Sequence, residues 1–185
     1  MKPPGIGGNM KIIKWSLIAV VALAMLIAAI GLALPSTYRV VRAAEIKAPA
    51  AKVYALIQDP REWARWTVWN QRDPAMKMSY AGAARGQGAK WSWESRTEGN
   101  GSMEFTRAEA DRMIGYRLSF PDFGMTSNGL LVLEESQAGT RITWSNEGAF
   151  GANPYMHYFA LLMERMVGPD FEQGLARLKQ VAESR

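Results

Sequence analysis

The sequence predicts an α+β domain, a curved antiparallel sheet wrapped around one long helix, with a single apolar helix ahead of it. Three observations carry this. Residues 15–34 (WSLIAVVALAMLIAAIGLAL) are an apolar run interrupted only by Ser16. Between residues 76 and 147, short alternating segments follow one another, separated by turn residues. From residue 153 onward, apolar side chains recur three and four apart, the period of a helix packed on one side.

Composition narrows the chemistry. The 185 residues are 48% hydrophobic and include seven Trp, enough material for a packed core. There is no Cys, which excludes disulfides, thiolate nucleophiles and sulfur-ligated zinc, and His157 is the only histidine. No metal site and no cofactor are expected. The net charge of +5 overstates the basicity of the folded part. Three of the 22 basic residues (Lys2, Lys11, Lys14) lie in the first 36 positions, which hold no acid, so 19 basic face 17 acidic side chains in the rest. A part so near neutrality is a poor phosphate-backbone binder, and no nucleic-acid partner is expected.

At about 1.5 Å per residue, residues 15–34 span roughly 30 Å, the thickness of a bilayer's hydrocarbon core. Lys11 and Lys14 precede the run, Trp15 suits an interface, and Pro35-Ser36 stops it. A cleaved signal sequence has a shorter apolar core, and Gly31-Leu32-Ala33 is a weak cleavage site. The reading is a basic tail (1–14), a retained single-pass membrane anchor (15–34) and one domain (38–185). The basic tail favours a cytoplasmic N-terminus with the domain on the extracytoplasmic side, against a nearly balancing Arg39, Arg42 and Lys47.

Within the domain, residues 38–46 read as a strand. Ala48-Pro49 opens a short helix with Val53, Leu56 and Ile57 on one face, and Asp59-Pro60 leads to a second holding Trp63 and Trp66. Strands follow at 76–80, 90–95, 102–107, 114–120, 129–135 and 141–147. Alternation puts Trp91 with Trp93, Met103 with Phe105, and Ile142 with Trp144 and Asn146 on inner faces. Asn100-Gly101 predicts a tight hairpin with positive φ at both positions, and Ala138-Gly139 another turn. Asn153 is expected to cap the last helix, with Pro154 in its first turn. Tyr158, Leu161, Leu162 and Met166 form its first stripe. Gly168-Pro169 should kink or interrupt it before Phe171, Leu175, Leu178 and Val181 resume the stripe.

The segments EIKAPAAKVYALIQDPREWARW (45–66), GQGAKWSWES (86–95) and EGAFGANPYMHYFALLMERMVGPDFEQGLARLK (147–179) resemble the START-like (SRPBCC) superfamily. The similarity is to its polyketide cyclase/dehydrase-type branch, whose bacterial members often carry an N-terminal membrane helix. It covers roughly residues 38–184 and rests on structural punctuation rather than catalytic residues. It implies a helix-grip fold with an apolar cavity between sheet and C-terminal helix, and a hydrophobic small molecule or lipid as partner.

The residues themselves offer little catalytic chemistry. His157 could serve as acid or base, but no nucleophile motif accompanies it. Glu134 and Glu135, adjacent in a strand, point to opposite faces. Gly86-Gln87-Gly88 leads into a strand and lacks the rest of a phosphate loop. No catalytic residue is therefore assigned. The candidate ligand-binding set is Trp66, Trp69, Trp91, Trp93, Tyr116 and Trp144, with Asn146, Tyr158, Leu162 and Met166, lining a mostly apolar cavity of a few hundred Å³. The alternatives are a cyclase or dehydratase using His157, Glu147 or Tyr116, and a protein-interaction module with a filled core.

Overall fold

The computed structural model describes residues 6–184, so Lys2 of the basic tail lies outside the described residues. The first helix, α1, runs Ile6–Ala33 and contains a stretch, Met10–Ala33, long and apolar enough to cross a membrane. Its side chains are exposed along most of that length. Strand β1 (Thr37–Ile46) follows after three residues. Three short helices come next: α2 (Ala50–Ile57), α3 (Trp63–Trp66) and α4 (Trp69–Arg72). Strands β2 (Lys77–Gly82), β3 (Ala89–Glu94), β4 (Gly101–Glu109), β5 (Met113–Phe120), β6 (Met125–Ser136) and β7 (Gly139–Ala149) lead to the last helix, α5 (His157–Glu183).

The seven strands form one antiparallel sheet in the order β1-β7-β6-β5-β4-β3-β2. With α5 laid against it, this is the helix-grip fold that the resemblance implies. Alternation decides which residues meet the helix layer, because one face is buried and the strand period is two. Trp91, Met103, Phe105, Ile114, Tyr116, Ile142, Trp144 and Asn146 are all buried inward, as their registers require. Trp63 of α3 sits at the centre, with the rings of Trp66, Trp91, Phe105, Tyr116 and Trp144 at 4.8–5.9 Å. Its indole N–H donates to Ile57 O (2.9 Å) and that of Trp66 to Leu56 O (3.1 Å). These two bonds satisfy carbonyls at the end of α2 that the helix itself leaves open.

Four local expectations need correction. The β3–β4 connection is not a two-residue hairpin at Asn100-Gly101. It runs through residues 95–100, Gly99 carries the positive φ (74°), and Gly101 already pairs with Trp93. Gly101 is required for a different reason: a Cβ there would lie 2.8 Å from Cε2 of Trp93, whose indole lies over it. The β6–β7 turn is Gln137-Ala138, with Gly139 already in β7. Asn153 closes a turn before α5, accepting from the Tyr155 amide (3.1 Å), and the helix starts at His157. Finally, Gly168-Pro169 does not interrupt α5, which continues as a helix through Pro169 to Glu183.

The two halves of α5 have different surroundings. Phe171, Leu175 and Leu178 are buried on the sheet and Val181 packs beside them, as expected. The first-half stripe does not face the sheet: Leu161, Leu162 and Met166 are exposed, and Tyr158 turns to α1. What packs inward there is Met163 and Val167. At the start of α5, buried His157 places Nδ1 2.9 Å from Gly31 O and Nε2 3.0 Å from Gly151 O. It thus sits at the carbonyl end of α1, on a carbonyl that also accepts from the Leu34 amide (3.1 Å). The approach is close because residue 31 is glycine: a Cβ there would run into the Pro154 carbonyl, 2.9 Å from its carbon.

Candidate functional site: a divided apolar cleft

Two cavities lie between the inner face of the sheet and the helices. One, about 100 Å³, is walled by Trp63, Trp91, Met76, Met78 and Trp93, with Glu98 at its side. The other, about 130 Å³, is bounded by Tyr116, Ser127 and Asn146 on the sheet and by Met163, Val167 and Phe171 on α5. Trp69, Met103, Leu118 and Phe120 line both, so the two are lobes of one cleft. Each is smaller than the cavity expected from the sequence. The reason is aromatic filling: Trp144 stacks flat on Phe171, centroids 3.8 Å apart and 6° from parallel, and Trp66 packs edge-on against it at 5.4 Å.

The candidate residues therefore fall into three groups. Trp69, Trp91 and Trp93 line the first lobe, and Trp69, Tyr116 and Asn146 the second. Trp66 and Trp144 are fully buried in the solid part of the core. Tyr158, Leu162 and Met166 do not line either lobe; the Tyr158 hydroxyl donates to Ile27 O of α1 (2.7 Å). Sequence reasoning missed Leu118 and Phe120 as lining, although their inward register on the strand was legible. It also missed Val167, which only the turn of α5 relative to the sheet reveals.

Each lobe carries a few polar groups among its apolar walls, including the Thr67–Asn70 pair (3.3 Å) in the first. In the second, Tyr38 Oη donates to Asn146 Oδ1 (3.2 Å) and Asn146 Nδ2 donates to Ser127 Oγ (3.2 Å). Tyr116 Oη accepts from Trp144 Nε1 (2.9 Å) and from Asn146 Nδ2 (3.5 Å). Both bonds use the Tyr116 oxygen as acceptor, which leaves its proton to donate. Burial pushes the Tyr116 phenol well above the usual range, so it stays a donor. In the first lobe, burial raises the Glu98 carboxyl, partly offset by Arg72, whose Nε is 3.2 Å away. Arg72 also pairs with Asp170 (2.5 Å), to which the Trp69 indole donates (3.0 Å). That set ties α4 to α5 and to the β3–β4 connection.

His157 and Glu147 stand apart from the cleft. Both ring nitrogens of His157 lie against backbone carbonyls of Gly31 and Gly151 rather than in the cleft, and Glu147 is exposed on β7. No cluster of three or more metal-ligating side chains occurs among the described residues.

A fold with this sheet order, a gripping helix and an apolar cleft between them defines a class of small domains. Residues 37–183 match the family model described as "Polyketide cyclase / dehydrase and lipid transport", and the chain belongs to that family. No curated protein matches the chain. Among solved structures, a protein from Chromobacterium violaceum aligns at 19% identity over 82% of this chain and 100% of its own, TM-score 0.54. The Aha1 dimer from Colwellia psychrerythraea aligns at 15% over 78% and 96%, TM-score 0.56. CalU16 from Micromonospora echinospora aligns at 20% over 78% and 74%, TM-score 0.54. At these identities the likeness is one of fold.

Proposed function

We propose that this chain is a membrane-anchored binding domain that takes an apolar small molecule or lipid chain into the divided cleft without transforming it. The observation that carries the reading is the cleft itself: two lobes sharing Trp69, Met103, Leu118 and Phe120, mostly apolar, with Thr67, Asn70 and Glu98 as the polar lining of the first and Tyr38, Tyr116, Thr126, Ser127, Asn146 and Asp170 as that of the second. A ligand with an acceptor at one end is favoured, since Tyr116 Oη accepts from Trp144 and Asn146 and keeps its own proton to donate. Helix α1 supports the anchored part of the reading by its length, its composition and its exposed side chains. Apolar walls with few polar groups suit binding in which burial supplies the affinity and a single hydrogen bond the orientation.

The test is titration of the detergent-solubilised full chain with an apolar fluorescent probe, with native mass spectrometry of ligand carried through purification. Trp93→Ala and Val167→Trp, which open one lobe and fill the other, should each change the affinity by several-fold. An unchanged affinity in both would overturn the reading. A second reading, an enzyme, is favoured by one observation: Glu98 is a carboxyl raised by burial beside an apolar lobe, the environment in which such a group acts as an acid. Glu98→Gln should leave probe binding intact. Turnover of a bound polyketide-like substrate that Glu98→Gln abolishes would replace the binding reading.

A further inference from the structure

We infer that the first two turns of α5, with Met166 at their edge, lie in the membrane, in the same leaflet as the C-terminal half of α1, with lipid as the occupant of their exposed apolar face. The inference rests on the reading of α1 as a membrane anchor.

The face is a defined stripe. Tyr155, Phe159, Leu162 and Met166 are spaced four, three and four apart, which places them within one side of the helix and its entering turn. They are 48%, 46%, 44% and 60% exposed. The stripe points away from the sheet, whose side of the helix is taken by Met163, Val167 and Phe171. Between residues 155 and 163 (YMHYFALLM) there is no acidic or basic side chain apart from buried His157, and the charged surface begins at Glu164 and Arg165, beside Met166. A contiguous apolar patch of large side chains on an otherwise ordinary domain surface marks a contact.

Its place beside α1 identifies the contact. The Tyr155 hydroxyl donates to Ala24 O (3.2 Å), Tyr158 to Ile27 O (2.7 Å), and His157 meets Gly31 O. The start of α5 thus runs alongside residues 24–31 of α1, about 10 Å of helix. Those residues belong to the apolar stretch, and neighbouring Leu23, Leu26 and Ile30 are themselves exposed. Whatever medium bathes the far side of α1 at that level also bathes the stripe. Exposed Tyr155 and half-buried Tyr158 both give their hydroxyl protons to α1 carbonyls. In water neither would need such a partner, whereas in hydrocarbon every polar group must find one within the protein. The stripe also starts at the root of the domain, where Phe159 stands 6.2 Å from Phe150 and the Phe150 amide donates to Ser36 O. Since Met163 and Val167 form a lobe wall one step around the helix, the embedded turns would bring the cleft to the bilayer surface.

The chain has no cysteine, so a single introduced thiol is unique. Spin labels at Leu23→Cys, Leu162→Cys, Met166→Cys and Gln137→Cys would be read in the full chain, in vesicles of phosphatidylethanolamine and phosphatidylglycerol. Near-ultraviolet circular dichroism would verify that each labelled chain is folded. At positions 23, 162 and 166, oxygen should relax the label more than a water-soluble nickel chelate does, and at position 137, on the β6–β7 turn, the order should reverse. Position 23 in lipid with positions 162 and 166 in water would overturn this inference and leave the anchor standing. Position 23 in water would overturn the anchor, and the inference with it. Labels at 162 and 166 shielded from both reagents, with spin–spin broadening between chains, would show that a second copy covers the face and would also overturn it.

Discussion

Gly101→Ala offers a sharp test of how the first lobe is built. Gly101 does not have a positive φ, so the backbone alone would accept alanine. What forbids a side chain is the Trp93 indole, with Cε2 at 2.8 Å from the added Cβ and Cζ2 closer still. The indole is held from its other side by Phe120, edge-on at 5.7 Å, and it walls the lobe. To admit the methyl group the indole must swing off its place. Overpacking of this kind costs about 1–3 kcal/mol, and loss of the aromatic pair adds about 1 kcal/mol. In a Trp93→Ala background the three atoms nearest the methyl group are gone, and replacing a strand glycine gains about 0.5–1 kcal/mol. The double-mutant cycle should therefore show a coupling of at least about 1.5 kcal/mol. Urea denaturation of the full chain in micelles, followed by circular dichroism, reads this directly. Each kcal/mol should also move the thermal midpoint by about 3 °C for a domain of this size. In parallel, Gly101→Ala should weaken probe binding about as much as Trp93→Ala, and the double variant no further. Equal destabilisation by Gly101→Ala in both backgrounds would refute the argument, because the glycine would then be needed for something other than the indole.

Trp144→Phe keeps the stack on Phe171 but removes the N–H donated to Tyr116, and should cost about 1–3 kcal/mol in chemical denaturation, more than a surface Trp→Phe exchange. Glu98, raised by burial, binds its proton more tightly in the folded chain than in the unfolded one. Its contribution to stability is therefore full below the unfolded value, near 4.5, and is lost as pH rises through the folded value. Glu98→Gln should flatten the stability–pH curve in that window, and an unchanged slope would assign it to other groups. Gly31→Leu should part α1 from the α5 entrance without unfolding the sheet, seen as proteolytic exposure of residues 34–36 at an unaltered thermal midpoint. The full chain should resist carbonate extraction from membranes, while removal of residues 1–35 should release it. An N-terminus mapped by mass spectrometry near residue 34 would show a cleaved leader instead.

The sheet interior was legible because a strand with one buried face gives no choice of register. Trp91, Tyr116, Trp144 and Asn146 could be placed from parity alone, and they stand where parity puts them. The first half of α5 was less legible for a physical reason. An apolar helical stripe reports that a face avoids water, not which apolar partner it meets. Leu162 and Met166 were assigned to the sheet, yet the chain has a second apolar element, α1, and the stripe stands beside it. The volume of the cleft was not legible either. Trp144 closes the space by stacking on Phe171, a pairing between elements that no local pattern encodes. The Asn100-Gly101 signal misled because the glycine answers to an indole across the strand pair rather than to a turn.

The link between α1 and β1 is only residues 34–36. From the last helical Cα to the first strand Cα, the chain can reach at most about 14 Å. With α1 in a bilayer, the domain cannot leave the membrane surface by more than that. Tethers so short hold a binding site and its target at an effective concentration in the millimolar range. A sparingly soluble molecule dissolved in the same membrane then meets the cleft at a frequency set by its abundance among lipids, whatever its level in the surrounding water. Half occupancy under those conditions requires only about 4 kcal/mol of binding free energy, within reach of two small apolar lobes and one hydrogen bond. On the proposed binding reading, such a tether would make weak, rapidly reversible capture sufficient, which suits exchange of a ligand with the membrane better than its storage.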